Sequence, residues 1–470
     1  MEHVDIARVV VAAAPYSIDK PYDYLIPDPL LSMVSPGVRV TIPFGRGNSS
    51  SEGFVLACTT GEKTPRLKAI LTVLDDEPVL DADGIALAFF LRQRCFCTMY
   101  DALKTILPAG LWYQMRERYI PAEGIEDSQF AEFKGGTQVL TVIRSCNGSA
   151  DREQLRAACG VRVSDTLKEL CDAGLLKRET ETLRRVRDKT KRMAELAVDP
   201  HTALEEAARR EKRSPTRSAV LRMLASVGSI SAADLRYYTG VTATALKNME
   251  TSGLIQLREE EELRVPEIGD VLPGAPILLN EEQEHAYRSV CDLTAAGKPA
   301  AVLLHGVTGS GKTQVYIRLV QDALERGRTA MVLVPEIILT PQMMRKFRSY
   351  FGERVVMLHS DLKLSERYDQ WKRIRRGEVD VVLGTRSAVF SPMKNLGLII
   401  LDEEQENSYQ SENTPRYHAR DVAKFLCARH NAVLLLGSAT PDIQSAWLAR
   451  EGVYQSLVLR KRYKIGRAHV

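Results

Sequence analysis

From Pro273 onward the chain consists of apolar runs separated by stretches with helical periodicity. The five runs most like strands span residues 301–304, 330–334, 379–383, 398–401 and 432–436. Runs that stay mainly apolar, without alternation, are typical of parallel strands that helices cover on both faces. The pattern therefore predicts an α/β lobe with a parallel sheet over residues 267–463.

The first hundred residues carry a different pattern, in which apolar and polar positions alternate. Val38, Val40 and Ile42 share one face of a predicted strand that follows a Pro-Gly turn. A helical segment over residues 85–107 closes this part of the chain. We expect a β-rich domain over residues 1–110.

Two middle segments repeat one order: helix, Gly-Val turn, helix, and then a glycine followed by two aliphatic residues. The shared positions are Gly160-Val161, Leu167 and Gly174-Leu175-Leu176, and then Gly240-Val241, Leu246 and Gly253-Leu254-Ile255. We interpret the segments as winged-helix-like modules, the first with a basic linker over residues 111–198 and the second over 199–266. Such modules bind DNA through their second helix or serve as packing spacers, and both readings stay open.

Composition places the chain among ordinary globular proteins of several domains. Its 470 residues exceed what one hydrophobic core organises, and 44% of them are hydrophobic. The net charge of +4, from 64 basic and 60 acidic residues, is too even to indicate nucleic acid, although basic residues cluster over 184–192 and 209–217. These clusters fit a solvated face or a DNA-backbone contact.

Localisation and redox state follow from what the sequence lacks. The eight cysteines form no CxxC pair, so we expect reduced thiols and neither a zinc knuckle nor a disulfide framework. The chain shows no signal-peptide pattern and no apolar run of membrane-spanning length, so we expect a cytoplasmic protein without membrane contact.

The loop after the first strand of the α/β lobe carries the strongest chemical signal. It reads Gly306-Val307-Thr308-Gly309-Ser310-Gly311-Lys312-Thr313, a complete GxxxxGK[ST] pattern between a strand and a helix. The backbone amides of such a loop turn toward phosphates at the positive end of a helix. We expect Lys312 to reach the β and γ phosphates of ATP, and Thr313 to supply an oxygen to Mg²⁺.

Acidic residues follow the fourth predicted strand. Asp402 is placed to hold Mg²⁺ and Glu403 to polarise the attacking water, as in a Walker B site. Taken alone, an acidic turn that caps a helix would explain the same residues. Downstream of a phosphate loop, the catalytic interpretation is favoured.

Small hydroxyl residues end two further strands at the same edge of the sheet. The segment 384–388 includes Arg386, and the segment 437–441 includes Ser438 and Thr440. Such residues can relay the state of the nucleotide to a bound DNA strand, although either segment alone could be a plain turn. In this order after a phosphate loop, the segments are typical of a superfamily 2 helicase.

Rings and cations are interleaved just after the acidic residues. Tyr409, Arg416, Tyr417 and His418 fall within thirteen positions, from 409 to 421. Rings stack on bases and cations attract phosphates, so we expect this segment to contact single-stranded DNA. Aromatic side chains packed under a loop are the alternative.

Several blocks of the sequence resemble the PriA family of primosomal replication-restart helicases. They are Leu279-Asn280-Glu281-Glu282-Gln283, the phosphate loop, 333–342, Leu358-His359-Ser360, 384–388, Asp402-Glu403-Glu404, 416–421 and 437–441. The resemblance extends to Tyr22-Asp23-Tyr24-Leu25, Pro36-Gly37-Val38-Arg39-Val40, Pro43-Phe44-Gly45 and Leu67-Lys68 at the N-terminus. It implies that Gln283 contacts adenine, and that Tyr22, Asp23, Gly37 and Lys68 form a pocket for a 3′ DNA end. Core and turn roles would explain the same four residues.

The chain departs from the family in two respects. Gln405 stands where the family usually has histidine, which keeps a hydrogen-bonding group for coupling but loses a titratable one. The family also continues into a second motor lobe with an arginine finger and a cysteine-rich zinc module, and neither appears in this sequence. We expect residues 464–470 to be a non-native tail, because they back-translate into a sequencing adapter.

The resemblance implies an ATP- and Mg²⁺-dependent 3′-to-5′ helicase that recognises branched DNA with a free 3′ end. Single-stranded DNA, primosome loader proteins and single-stranded-DNA-binding protein are the implied partners. Because the second lobe is missing, we expect this chain to unwind little DNA. The alternative is a fork-DNA-binding module with residual ATP binding, and the N-terminal blocks disfavour a restriction-type motor.

Overall fold

The structure is a computed structural model that describes residues 3–45, 47–160, 163–184, 189–264 and 271–462. The chain divides into two compact units. One comprises Met1–Arg185 with Glu267–Val470, and the other comprises Val186–Pro266. The predicted tail over residues 464–470 lies outside the described residues.

The N-terminal part of the first unit is a twisted antiparallel sheet followed by two helices. Its elements are β1 (His3–Val11), β2 (Tyr22–Leu25), β3 (Arg39–Phe44), β4 (Ser49–Glu62), β5 (Thr72–Val73), α1 (Ala82–Cys95) and α2 (Met99–Ile106). The strands lie in the order β2-β1-β4-β3-β5. Apolar residues of alternate strand positions, Val38, Val40 and Ile42 among them, form its core, which confirms the predicted β-rich fold.

The next segment of the first unit contains both strands and helices. It contains β6 (Tyr113–Pro121), α3 (Asp127–Ala131), α4 (Gly136–Ser145), β7 (Ala150–Asp151), α5 (Arg152–Cys159), α6 (Val163–Asp172) and β8 (Leu176–Arg184). The strands pair in the order β7-β6-β8, and Leu167 lies in the core under them. Val161, part of the repeated pattern, lies outside the described residues. The winged-helix assignment stays a prediction.

The second unit has a similar order of elements. It contains β9 (Thr190–Leu196), α7 (Pro200–Arg210), α8 (Pro215–Val227), β10 (Ser229–Ser231), α9 (Ala232–Thr239), α10 (Ala243–Thr251) and β11 (Ile255–Glu261). The central strand of its sheet is β9, which pairs with both β10 and β11. The unit therefore starts before the predicted boundary at 198/199, because residues predicted as linker supply its middle strand.

The remainder of the first unit is an α/β lobe. Its elements are α11 (Glu281–Ala295), β12 (Ala300–Gly306), α12 (Lys312–Glu325), β13 (Thr329–Leu333), α13 (Pro341–Phe351), β14 (Val355–Leu358), α14 (Leu364–Arg376), β15 (Val381–Gly384), β16 (Leu396–Asp402), α15 (Ala419–His430), β17 (Val433–Ser438), α16 (Ile443–Arg450) and β18 (Gln455–Leu459). Within the described residues the sheet has seven parallel strands, ordered β14-β15-β13-β16-β17-β12-β18. The five predicted strands are confirmed, and the outermost strands β14 and β18 are additional.

The order of strands explains where the site forms. The strands β12, β16 and β17 lie side by side, and their carboxyl ends carry the phosphate loop, Asp402 and Ser438. Residues distant in sequence therefore meet at one edge of the sheet. Among the described helices, none is long and apolar enough to cross a membrane.

Candidate nucleotide and DNA-end sites

The phosphate loop joins β12 to α12 in the conformation that its glycines permit. Gly309 and Gly311 have φ values of +78° and +84°, which side chains rarely adopt. A Cβ at Gly306 would lie 2.6 Å from Ser310 Oγ, so that glycine is needed for close packing. Thr308 is exposed on the loop. The predicted loop is therefore formed at the N-terminus of a helix.

A chain of hydrogen bonds runs from the phosphate loop to the end of β17. Lys312 Nζ lies 3.2 Å from Glu403 Oε1, and Gln405 Nε2 donates to Glu403 Oε2 at 3.0 Å. Ser438 Oγ donates to Gln405 Oε1 at 2.5 Å, and Thr440 N donates to Ser438 Oγ at 2.9 Å. The residue at 405 therefore connects the predicted catalytic carboxylate to the predicted coupling residues.

The two carboxylates differ in their protonation tendencies. Burial raises the pKa of Asp402, and a hydrogen bond from the Tyr316 hydroxyl opposes this only in part. Burial also raises the pKa of Glu403, but the hydrogen bond from Gln405 and the charge of Lys312 outweigh it, so its net pKa is lowered. Glu403 therefore remains an ionised acceptor near neutral pH.

The residues at this edge suit a magnesium ion. Magnesium keeps several waters and takes one or two protein carboxylates together with substrate phosphates, so a larger acidic cluster is not required. Asp402 is a hard oxygen ligand at a strand end, and Thr313 is half-buried in the first turn of α12. Ser310 Oγ is buried without a hydrogen-bond partner among the described residues. Polar oxygens are thus available beside the phosphate loop.

Gln283 is placed differently from the predicted adenine contact. Its side chain is fully buried, and its Nε2 donates to the carbonyl oxygen of Ser310 at 2.8 Å. Its Oε1 accepts from the backbone amide of Asn280, completing a capping box at the start of α11. In this conformation Gln283 supports the phosphate loop, and contact with adenine stays a prediction.

A second buried cluster adjoins Glu403 and was not expected from the sequence. The carboxylate of Glu404 accepts from Arg420 Nη1 at 2.8 Å and from Ser445 Oγ at 2.9 Å. Arg420 Nη1 also donates to Asp442 Oδ2 at 3.0 Å. The cluster fixes the first turns of α15 and α16 to the acidic segment.

The structure corrects the role predicted for two aromatic rings. Tyr409 is fully buried, and its hydroxyl lies 2.7 Å from the carbonyl oxygen of Asp402. Tyr417 is 6% exposed and packs edge-on against Phe390, with ring centroids 4.7 Å apart. Base stacking by these rings is contradicted in this conformation, because their faces are covered by protein.

The basic residues predicted to contact DNA near this segment differ in their exposure. Arg416 is exposed, whereas Arg386 Nη1 donates to the carbonyl oxygens of Ser408 at 3.2 Å and Gln410 at 2.5 Å. His418 caps α15, its Nδ1 accepting from the amide of Arg420, and burial lowers its pKa. Among the predicted DNA-contacting side chains of residues 409–421, Arg416 is therefore the one open to solvent, and Arg386 secures the segment.

Two of the four predicted 3′-end residues meet near the end of β3. The ring of Tyr22 packs edge-on against Phe44 at 5.2 Å, and Lys68 Nζ donates to the carbonyl oxygen of Gly45 at 2.8 Å. Asp23 lies on the opposite face of β2, where it pairs with Arg8 at 3.4 Å. Tyr22 and Lys68 thus contact two consecutive residues, Phe44 and Gly45, and Asp23 faces solvent on the other side.

Gly37 has a packing role at the far end of β3. A Cβ there would lie 1.9 Å from the carbonyl oxygen of Leu80, and Gly37 O accepts from the amide of Val79 at 3.0 Å. The glycine beside Tyr22 and Lys68 is instead Gly45, which is exposed with φ of +71°. The Pro43-Phe44-Gly45 block contained the signal, but spacing alone could not separate the two glycines.

The N-terminal helices contact the α/β lobe within the first unit. Phe90 of α1 stacks on Phe425 of α15 at 4.7 Å, and Arg429 Nε donates to Asp83 Oδ1 at 2.7 Å. Arg420 lies in the first turn of α15, so the same helix touches the N-terminal helices and the acidic segment. One helix, α15, therefore contacts both the N-terminal helix α1 and the acidic segment.

Comparison with known proteins agrees with this geometry. The model of the DEAD/DEAH box helicase family matches residues 281–446, and the model of the PriA 3′ DNA-binding domain matches residues 8–108. The α/β lobe, with its phosphate loop and acidic strand end, is thus a RecA-like P-loop lobe of helicase type.

Curated relatives show which family of helicases the chain belongs to. Replication restart protein PriA of Bacillus subtilis (strain 168) is 33% identical over 98% of this chain and 56% of its own length. That of Synechocystis sp. is 33% identical over 90% of this chain and 50% of its own. Together with the 3′ DNA-binding domain, these matches show that the chain belongs to the PriA family. It spans about half the length of the curated relatives it matches.

Solved structures that match part of the chain include RecG bound to a three-way DNA junction. It is 28% identical and covers 42% of this chain and 25% of the RecG chain, with a TM-score of 0.32. That score is too low to establish a common fold.

Proposed function

We propose that this chain acts in an ATP-dependent 3′-to-5′ DNA helicase of superfamily 2, which restarts replication forks and assembles the primosome. The observation that carries the proposal is the meeting of Lys312, Asp402 and Glu403 at one edge of the parallel sheet. Membership of the PriA family and the match to a 3′ DNA-binding domain support it.

Each polar residue of the site has a distinct part in ATP hydrolysis. Lys312 binds the β and γ phosphates, and Thr313 and Asp402 hold the metal. Magnesium, when bound, offsets the charge of the phosphate oxygens. Glu403, kept ionised by Gln405 and Lys312, orients the attacking water. Gln405 and Ser438 then transmit a change at Glu403 to the end of β17.

DNA is proposed to bind at two places. Tyr22, Lys68 and Gly45 receive the free 3′ end of a branched DNA, with a ring for stacking and an ammonium beside a backbone carbonyl. Arg416 attracts a single strand near the acidic segment. Primosome loader proteins and single-stranded-DNA-binding protein are the proposed protein partners, on the strength of the family.

ATP hydrolysis by the 470-residue chain, with and without forked DNA bearing a free 3′ end, tests the proposal. Binding of the chain to the same forked DNA is measured in parallel. DNA-stimulated turnover supports a motor, and fork binding without turnover supports the alternative of a DNA-binding module with residual ATP binding. If the chain shows neither fork binding nor ATP turnover, that result contradicts both functions.

Replacement of Lys68 is expected to weaken 3′-end recognition. The Lys68→Ala variant loses the ammonium beside Gly45, so we expect about tenfold weaker binding of a fork with a free 3′ end, about 1.4 kcal/mol. Fluorescence anisotropy measures it against a fork whose 3′ end is closed by a hairpin. Arg66→Ala, which removes an exposed charge two residues earlier, is the matched control. Equal losses in both variants would contradict a specific pocket.

A further inference from the structure

Asp402 is held by two buried tyrosine hydroxyls, one on its carboxylate and one on its backbone. Tyr316 OH donates to Asp402 Oδ1 at 2.8 Å. Tyr409 OH lies 2.7 Å from Asp402 O and 2.9 Å from Leu333 O. Both rings are fully buried. The two tyrosines thus bind the same residue through chemically different atoms.

Tyr316 lies on the helix that follows the phosphate loop. It comes four residues after Lys312, so the two side chains project from the same face of α12, one turn apart. The helix therefore presents an ammonium at the phosphate site and a hydroxyl at the carboxylate of the neighbouring strand. Movement of the first turn of α12 would alter both contacts together.

A glycine on the adjacent strand makes room for the tyrosine hydroxyl. Gly437 of β17 pairs directly with Asp402 of β16. A Cβ at Gly437 would lie 1.8 Å from Tyr316 OH and 3.3 Å from Asp402 Oδ1. Any side chain there would displace the hydroxyl. The helix α12 and the strands β16 and β17 therefore each contribute a residue that this one hydrogen bond requires.

The hydrogen bond restricts a carboxylate that would otherwise rotate. The terminal torsion of aspartate is broad and nearly two-fold, so packing alone selects its orientation weakly. Because the Tyr316 hydroxyl donates to Oδ1, it fixes the plane of the Asp402 carboxylate, and Asp402 is only 7% exposed. Partners that orient a metal ligand typically contribute 10–100-fold to metal affinity.

We propose that Tyr316 is a positioning residue for the divalent-cation site, acting through the carboxylate of Asp402. The inference rests on the proposed binding of Mg·ATP and deepens it. In this role Tyr316 touches neither phosphate nor metal. Its hydroxyl orients the ligand, and Gly437 supplies the space that this requires.

Magnesium titrations of nucleotide binding test the inference. Binding of a fluorescent ATP analogue by the whole chain is followed from EDTA to excess Mg²⁺. We expect Tyr316→Phe to raise the Mg²⁺ concentration of half-maximal enhancement about tenfold, and to leave binding in EDTA unchanged. An unchanged half-maximal concentration would overturn the inference.

Tyr409→Phe is the matched control, because it removes an equally buried hydroxyl from the backbone of the same aspartate. We expect it to lower stability and to leave the Mg²⁺ dependence unchanged. An equal shift in both variants would show a general structural effect and overturn the inference. Gly437→Ala should reproduce the shift of Tyr316→Phe, and an unshifted Gly437→Ala would also count against it.

Failure of the proposed function has its own signature. If the wild-type chain shows no Mg²⁺-dependent nucleotide binding, the proposed function fails and the inference fails with it. If the wild type shows that dependence and Tyr316→Phe keeps the wild-type half-maximal concentration, the inference alone is wrong.

Discussion

Replacement of Lys312 with alanine is expected to weaken binding of a fluorescent Mg·ATP analogue at least 100-fold. The ammonium is nearly buried, 3.1 Å from the carbonyl oxygen of Gly306 and 3.2 Å from Glu403 Oε1. Each charge-assisted hydrogen bond to a phosphate contributes about 1.5–3 kcal/mol, so losing one or two accounts for about two orders of magnitude. Without Lys312, the carboxylate of Glu403 also faces the triphosphate unopposed.

A control separates this effect from a general loss of charge. Lys298 is exposed on the same lobe, in the turn between α11 and β12, and Lys298→Ala is expected to bind the analogue as the wild type does. Near-wild-type affinity of Lys312→Ala, with its fold confirmed by circular dichroism, would contradict the assignment of the phosphate loop.

Replacement of Arg39 with alanine is expected to destabilise the N-terminal β-rich part by about 3–5 kcal/mol. Arg39 is 1% exposed, and its guanidinium binds Asp75 through Nε at 2.9 Å and Nη2 at 2.5 Å. Nη1 donates to the carbonyl oxygen of Leu111 at 2.8 Å, and the group lies 5.7 Å from the ring centroid of Trp112. Removing one partner of a buried pair leaves the other charge buried without compensation.

Urea unfolding followed by tryptophan fluorescence measures this loss, because Trp112 reports on the surroundings of Arg39. The control is Arg8→Ala, which breaks the exposed pair of Arg8 with Asp23 and should change stability by less than about 1 kcal/mol. If the two variants unfold at the same urea concentration, the buried network does not stabilise this part of the chain.

The lobe could be predicted from the sequence because local signals determine it. Apolar runs mark β12, β13, β15, β16 and β17, and the phosphate loop is contiguous in sequence. The short edge strands β14 and β18 were missed, because brief apolar runs have no periodicity that distinguishes them from loops. Pairing of β9 with β10 and β11 was missed for a related reason: basic side chains on an exposed strand resemble a linker.

The contacts that organise the site could not be predicted in this way. The bond between Tyr316 and Asp402 joins residues 86 positions apart, and it depends on Gly437. Burial of Tyr409 likewise depends on the strands around it, so its ring resembled a DNA-stacking group until its position was known. Gly37 and Gly45 both have positive φ, and only the three-dimensional position of Lys68 tells them apart.

We propose that one chain carries two separate sites, for Mg·ATP at the phosphate loop and for a 3′ DNA end beside Tyr22 and Lys68. The most direct test measures the affinities of wild type, Lys312→Ala and Lys68→Ala for the fluorescent Mg·ATP analogue and for forked DNA with a free 3′ end. We expect Lys312→Ala to lose nucleotide and keep the fork, and Lys68→Ala to lose affinity for the fork and keep nucleotide. Equal loss of both ligands in either variant would contradict two separate sites.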